Sequence, residues 1–197
     1  MNISKRTRNV TVIGMLSAIA FILEYLEFAV PFMPTFIKMD LSELPALIGA
    51  FSLGPVAGVI ICLVKNVLHV LTSQSGGVGE LSNFLLGAIF VLTAGIIYKV
   101  NKNRKAAVLG SVLGALAMAV LSVVTNYFIV YPMYSNFMPM EAIIGAYQAI
   151  YSGADSLIKC LVIFNLPFTF IKGMINVVIT FLIYKKISPI LKGTEKF

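Results

Sequence analysis

The last apolar stretch of the chain, residues 157–187, reads LIKCLVIFNLPFTFIKGMINVVITFLIYKKI. A membrane-spanning helix needs about 20 predominantly apolar residues, so this stretch predicts one. Pro167 predicts a kink in it, because proline donates no backbone hydrogen bond. Four polar residues interrupt the stretch at helical spacing: Asn165, Thr169, Lys172 and Asn176. At 100° per residue they fall within roughly 60° of one helix face.

The composition of the whole chain agrees with a membrane protein. Of 197 residues, 59% are hydrophobic and 12% are charged, and the mean hydropathy is +0.95. Soluble domains are about 45–50% apolar and about 25% charged, and a small one cannot bury this much apolar surface. Disorder is excluded by the same numbers, and two cysteines exclude a disulfide scaffold. We therefore predict an all-α integral membrane protein with a single domain, 1–197.

Apolar runs and turn residues predict six transmembrane helices. The second and third are short and meet at Gly54-Pro55, a predicted tight turn. The outer loop at 132–155 is expected to contain a short helix near 140–151. The predicted helices cover roughly 8–30, 43–53, 55–72, 80–100, 105–131 and 156–187.

The basic residues predict the orientation. Eleven of the 15 lysines and arginines fall in three clusters, and the positive-inside rule assigns all three to the cytoplasm. Both termini are therefore predicted to be cytoplasmic, and seven of the eight acidic residues fall on the outer side. The net charge of +7 then reflects topology and not nucleic-acid binding. The clusters are Lys5, Arg6 and Arg8; Lys99, Lys102, Arg104 and Lys105; and Lys185, Lys186, Lys192 and Lys196.

Lys172 is the most informative residue of the polar face. It precedes the cytoplasmic Lys185 by about 13 residues, or roughly 20 Å of helix, which puts it in the outer half of the membrane. Because a charge inside a bilayer is costly, it usually faces a cavity or a partner. We predict an outward-side ligand pocket, although interhelical hydrogen bonding is an alternative for Thr169 and Asn176.

Other polar residues are predicted near the same pocket. For the loop charges the alternative is solvation, and for Glu80 it is a favourable charge at a helix N-terminus. The single histidine, His69, follows Lys65 by one turn and is expected to be packed or hydrogen-bonded. These further candidates are Lys38, Asp40, Glu43, Glu80, Asn83 and Asn126.

Known catalytic and metal-binding patterns do not match the chain. There is no Gly-x-Ser-x-Gly around a serine, no zinc spacing and no Walker A sequence. We predict neither an enzyme nor a catalytic cofactor nor a metal site. Gly14 and Ala18 have a small-xxx-small spacing that allows close helix approach, as do Gly110 and Gly114. The alternative for both pairs is packing within the chain.

Several segments together resemble one family, the riboflavin-specific substrate-binding (S) components of energy-coupling factor (ECF) vitamin transporters. His69 and Lys172-Gly173 extend the likeness, which covers nearly the whole chain. The segments are FIKMDLSELP at 36–45, GPVAG at 54–58, LVKN at 63–66, GELSNF at 79–84 and NLPF at 165–168.

The resemblance implies a function in transport without chemical conversion. It implies a six-helix protein of a prokaryotic cell membrane, with a riboflavin pocket near the extracellular face. It also implies a transmembrane coupling (T) subunit and two cytoplasmic ATPase subunits, which use ATP. The family contacts its coupling subunit through Ala-x-x-x-Ala on the first helix, which here reads Gly14-x-x-x-Ala18.

Riboflavin chemistry suits the candidate residues. Amides can pair with the uracil-like ring edge, lysine can donate to ring acceptors, and carboxylates can accept from ribityl hydroxyls. The alternatives are another vitamin or precursor (biotin, a folate or a queuosine precursor), a membrane-embedded enzyme or a scaffold. The predicted substrate-binding residues are Lys172, Asn165 and Asn126 at the ring edge, with Asp40, Glu80, Asn83, Thr169 and Lys38 around them.

Overall fold

A computed structural model describes residues 4–73 and 76–192, and the chain is almost entirely helical there. Two short strands, β1 (Phe28–Ala29) and β2 (Lys38–Met39), pair antiparallel. Lys196 of the third basic cluster lies outside the described residues. The helices are α1 (Lys5–Tyr25), α2 (Glu43–Leu53), α3 (Pro55–Val70), α4 (Val78–Val100), α5 (Arg104–Thr125), α6 (Tyr131–Tyr134), α7 (Met140–Gln148), α8 (Leu157–Cys160) and α9 (Leu166–Lys192).

Local sequence explains where several helices begin. Ser4 accepts a hydrogen bond from the Thr7 backbone N–H at the start of α1, and Asn103 accepts one from Ala106 at the start of α5. Pro55 occupies the first position of α3, where its missing N–H costs nothing. Gly54, with φ of 108°, makes the tight turn from α2.

Two π-helical segments join neighbouring helices into longer ones. Asn126–Val130 connects α5 to α6, and Leu161–Asn165 connects α8 to α9. Each segment ends two residues before a proline, Pro132 or Pro167. A proline ring clashes with the carbonyl four residues earlier, which here lies inside the π-helical segment. Widening the turn relieves that clash, and such segments are frequent at functional sites.

Two predicted helix boundaries are wrong. The predicted helix 8–30 ends at Tyr25, because the apolar residues beyond it form β1 and find their backbone partners in β2. The predicted helix 105–131 continues past Pro132, since α6 runs to Tyr134. The short helix expected near 140–151 covers Met140–Gln148.

Among residues 4–73 and 76–192, four helical stretches are long and apolar enough to cross a membrane, and α2 and α3 are shorter apolar helices. Six crossings therefore remain a prediction. One cavity lies where the ends of five helical stretches meet. α1, α3 and α4 carry Tyr25, His69 and Glu80 there. The α5 and α9 stretches carry Asn126 and Asn165.

The two small-residue spacings, on α1 and on α5, differ in what surrounds their glycines. A Cβ on Gly114 would lie 2.7 Å from the Phe90 carbonyl oxygen, and one on Gly110 would lie 2.9 Å from that of Ala94. The α5 glycines therefore serve packing against α4 within the chain. On α1, by contrast, a Cβ on Gly14 would meet none of the described residues within 4 Å, and both Gly14 and Ala18 are exposed.

A buried lysine connects three of the helices. Lys65 of α3 is fully buried, and its ammonium donates a hydrogen bond to the Ser42 hydroxyl. The same Nζ lies 3.4 Å from Glu43 Oε1 at the start of α2 and 3.7 Å from Glu24 Oε1 on α1. These contacts hold the three helix ends together beside the cavity.

Replacing Lys65 with methionine removes its charge and keeps most of its volume. We expect Lys65→Met to lower the free energy of unfolding by about 3–5 kcal/mol, because a broken buried ion pair leaves carboxylates without their partner. Thermal unfolding in one detergent, without added ligand, measures the loss.

The matched control is Lys159→Met. Lys159 pairs with Asp155 at 2.7 Å between exposed side chains, where solvent screens the interaction. Equal unfolding temperatures for the two variants would contradict a stabilising role for the buried pair.

Candidate ligand-binding site

A cavity of about 590 Å³ opens among these helix ends. Pockets for small molecules have volumes of about 300–1,000 Å³, so the size suits a ligand. Asn176 of the predicted polar face is not among the lining residues; it is buried and donates to the Lys172 carbonyl at 2.9 Å. The eight residues predicted to bind substrate all line the cavity: Lys38, Asp40, Glu80, Asn83, Asn126, Asn165, Thr169 and Lys172.

Aromatic side chains form much of the remaining wall. They come from α1, from the loop before β2, from α6 and the segment after it, and from α9. Such side chains cover flat apolar rings well. The lining aromatic residues other than His69 are Tyr25, Phe36, Tyr131, Tyr134, Phe137 and Phe168.

Lys172 lies within a network of acceptors. Its Nζ donates to Asp40 Oδ2 at 2.7 Å and to Asn83 Oδ1 at 3.3 Å, and Glu43 Oε2 lies 3.5 Å away. A lysine has only three N–H donors. The Lys172 ammonium is therefore already engaged, and a ligand acceptor must replace or share one of these contacts.

Asp40 is held from two sides. Besides Lys172, it accepts hydrogen bonds from the Ser42 backbone N–H at 2.9 Å and from the Ser42 hydroxyl. Burial alone would raise the pKa of Asp40, but the charges of Lys172 and Lys65 outweigh burial and hold that pKa below its ordinary value. Asp40 is thus an ionised acceptor directly after β2.

The two asparagines predicted at the ring edge, Asn126 and Asn165, lie in the π-helical segments. Asn165 Oδ1 accepts from the Tyr147 hydroxyl at 2.7 Å, and its Nδ2 donates to the Tyr131 hydroxyl at 3.3 Å. Asn126 Oδ1 accepts from Ser82 Oγ at 3.4 Å. Both amides line the cavity and also form hydrogen bonds within the chain.

Other residues that line the cavity are paired within the chain. Lys38 forms an ion pair with Glu27, which links the two ends of the β1–β2 hairpin. His69 Nδ1 lies 3.0 Å from Glu80 Oε1, so the histidine is hydrogen-bonded as expected. Glu80 also accepts from Ser73 at 2.8 Å.

Sequence reasoning missed three contributors to the site. Glu24 lines the cavity, Lys65 holds its neighbours from behind, and Tyr147 is fully buried against Asn165. For Glu24 and Lys65 the signal was a charge within an apolar helix. No comparable signal marked Tyr147, because only the folded loop brings α7 to the π-helical segment.

Comparisons with known proteins agree with the resemblance. The family model of the ECF transporter, substrate-specific component, matches residues 8–184. The riboflavin transporter RibU of Staphylococcus aureus (strain TCH60) is 36% identical over 192 residues, covering 98% of this chain and 96% of that protein. The riboflavin transporter FmnP of Bacillus subtilis (strain 168) is 33% identical over 188 residues, covering 93% and 94%.

A solved structure gives the same result. The S component of a bacterial ECF transporter superposes with a TM-score of 0.75 at 35% sequence identity, covering 95% of this chain and 99% of that chain. The predicted family is confirmed over almost the full length. The chain belongs to the substrate-specific components of ECF transporters.

Proposed function

We propose that this S component binds riboflavin outside the cell and delivers it across the membrane without converting it chemically. The observation that carries the proposal is the cavity, which joins an aromatic wall to a buried polar network around Lys172. The relatives named riboflavin transporters supply the ligand's identity.

The cavity and the vitamin match in chemistry. The isoalloxazine ring is flat and largely apolar, so the aromatic side chains, Phe36 and Phe168 among them, can cover its faces. Its uracil-like edge presents two carbonyls and an N–H, which need both donors and acceptors. We assign the edge to Lys172, Asn165 and Asn126, with Thr169 and Asn83 beside them.

The ribityl chain needs partners for its hydroxyl groups. Asp40, Glu80 and Lys38 bring charged groups to the cavity from the hairpin and from the start of α4. Because these groups are already paired within the chain, binding exchanges internal hydrogen bonds for bonds to the ligand. A ligand that replaces every lost hydrogen bond therefore binds more tightly than one that leaves a buried group unpaired.

Titration with riboflavin tests the assignment. We expect the wild-type protein in detergent to quench flavin fluorescence, and Lys172→Ala to weaken binding about tenfold or more, because hydrogen bonds to charged groups contribute about 1.5–3 kcal/mol. Lys159→Ala, which changes an exposed lysine outside the cavity, is expected to bind like the wild type.

Unchanged affinity in Lys172→Ala would contradict the assigned role of Lys172. A wild-type protein that purifies colourless and binds no added riboflavin would contradict the ligand. Biotin, folate and a queuosine precursor would then be titrated in its place.

We further propose that six helices cross the membrane, with both termini in the cytoplasm and the cavity outside. The distribution of charge supports this orientation. Lys99 and Lys102 lie near the Gly54 turn, at the other end of α4 from the cavity residue Glu80. Basic residues favour the cytoplasmic side.

Transport also requires an energy source, which we assign to a transmembrane coupling subunit and two cytoplasmic ATPases that hydrolyse ATP. The exposed face of α1 is suited to the coupling subunit. Gly14 and Ala18 leave room for a second helix, and Met15, 60% exposed, lies beside them. Small residues permit close helix approach in lipid.

A bulky residue on this face should block assembly. We expect Gly14→Leu to reduce co-purification of the coupling and ATPase subunits severalfold while riboflavin affinity stays unchanged, because the added side chain prevents close helix approach. Gly145→Leu on α7 is the control, since a Cβ there also meets nothing within 4 Å. Full assembly of Gly14→Leu would count against this interface.

A further inference from the structure

One carboxylate that lines the cavity has an unused oxygen. Glu24 lies on the last turn of α1 and is only 3% exposed. Its Oε1 accepts a hydrogen bond from Asn83 Nδ2 at 2.7 Å. Its Oε2 is buried and has no hydrogen-bond partner within residues 4–73 and 76–192.

The charges around Glu24 do not balance. Three buried carboxylates, of Glu24, Asp40 and Glu43, share two buried ammonium groups, of Lys65 and Lys172. Asp40 pairs with Lys172 at 2.7 Å. Glu43 lies 3.4 Å from Lys65 and 3.5 Å from Lys172. In the described part of the chain, Glu24 has one cationic neighbour, Lys65, with Nζ at 3.7 Å from Oε1.

An unsatisfied buried carboxylate oxygen is costly. A ligand that brings a hydrogen-bond donor to Oε2 removes that cost, whereas a ligand that brings an acceptor or a methyl group there does not.

We propose that Glu24 is a specificity-determining residue that accepts a hydrogen bond from the imide N–H of the ligand ring. This inference rests on the proposed riboflavin function. The hydrogen-bonded series from Glu24 through Asn83 to Lys172 brings an acceptor and donors into one network. An imide edge, with an N–H between two carbonyls, needs that combination.

Pairing protein variants with ligand variants tests the contact. Riboflavin and 3-methylriboflavin, which lacks the imide N–H, are titrated against wild type, Glu24→Gln and Glu27→Gln. We expect methylation to weaken binding to the wild type about tenfold or more. In Glu24→Gln the weakening should be several times smaller, since the charged acceptor is gone.

Glu27→Gln is the matched control, because Glu27 lines the cavity three residues after Glu24 and pairs with Lys38. It should show the wild-type ratio of affinities for the two ligands. Glu24→Gln removes the surplus charge, so this variant should remain folded. Its unfolding temperature without ligand tests this expectation. Glu24→Ala provides a second variant, with the same reduced ratio expected.

An equal methylation effect in wild type and in both Glu24 variants overturns the proposal and leaves riboflavin binding intact. Failure of the wild type to bind riboflavin overturns the proposed function itself, and the assignment of Glu24 with it.

Discussion

Five buried charges, drawn from distant parts of the chain, hold the ligand-binding end of this protein together. Lys172 of α9 reaches Asp40 beyond β2, while Lys65 of α3 reaches Glu43 of α2 and Glu24 of α1. In an apolar environment each charge is tolerable only if the others stay in place. The network therefore sets the relative positions of four helices and one hairpin. The cavity takes its shape from those positions.

Two prolines lie next to segments that form part of the cavity wall. Pro132 and Pro167 each follow a π-helical segment, and those segments carry Asn126 and Asn165. A wider helical turn changes the direction of the side chains on it, so the two amides reach the cavity from helices that otherwise pack closely. The Tyr131 and Tyr147 hydroxyls then fix Asn165. The two π-helical segments therefore contain two of the residues proposed to bind the ligand.

Most of the fold and eight of the residues that line the cavity could be predicted from the sequence. Apolar length gives the long helices, and polar residues within them are so costly that they mark the cavity. The end of α1 could not be predicted in this way, because the apolar residues after Tyr25 suit a helix and a strand alike. Only pairing with Lys38–Met39 decides between them.

By itself, the sequence determined that the chain is a helical membrane protein with a polar site near one end, because hydropathy and the rarity of charge are properties of composition and spacing. Only the tertiary structure decided which charges neutralise one another. Asp40 and Lys172 are 132 residues apart, and nothing local to either one specifies the pair. Among the residues that the structure describes, the same long-range contacts leave Glu24 Oε2 without a hydrogen-bond partner, since pairing depends on distances that exist only in the folded chain.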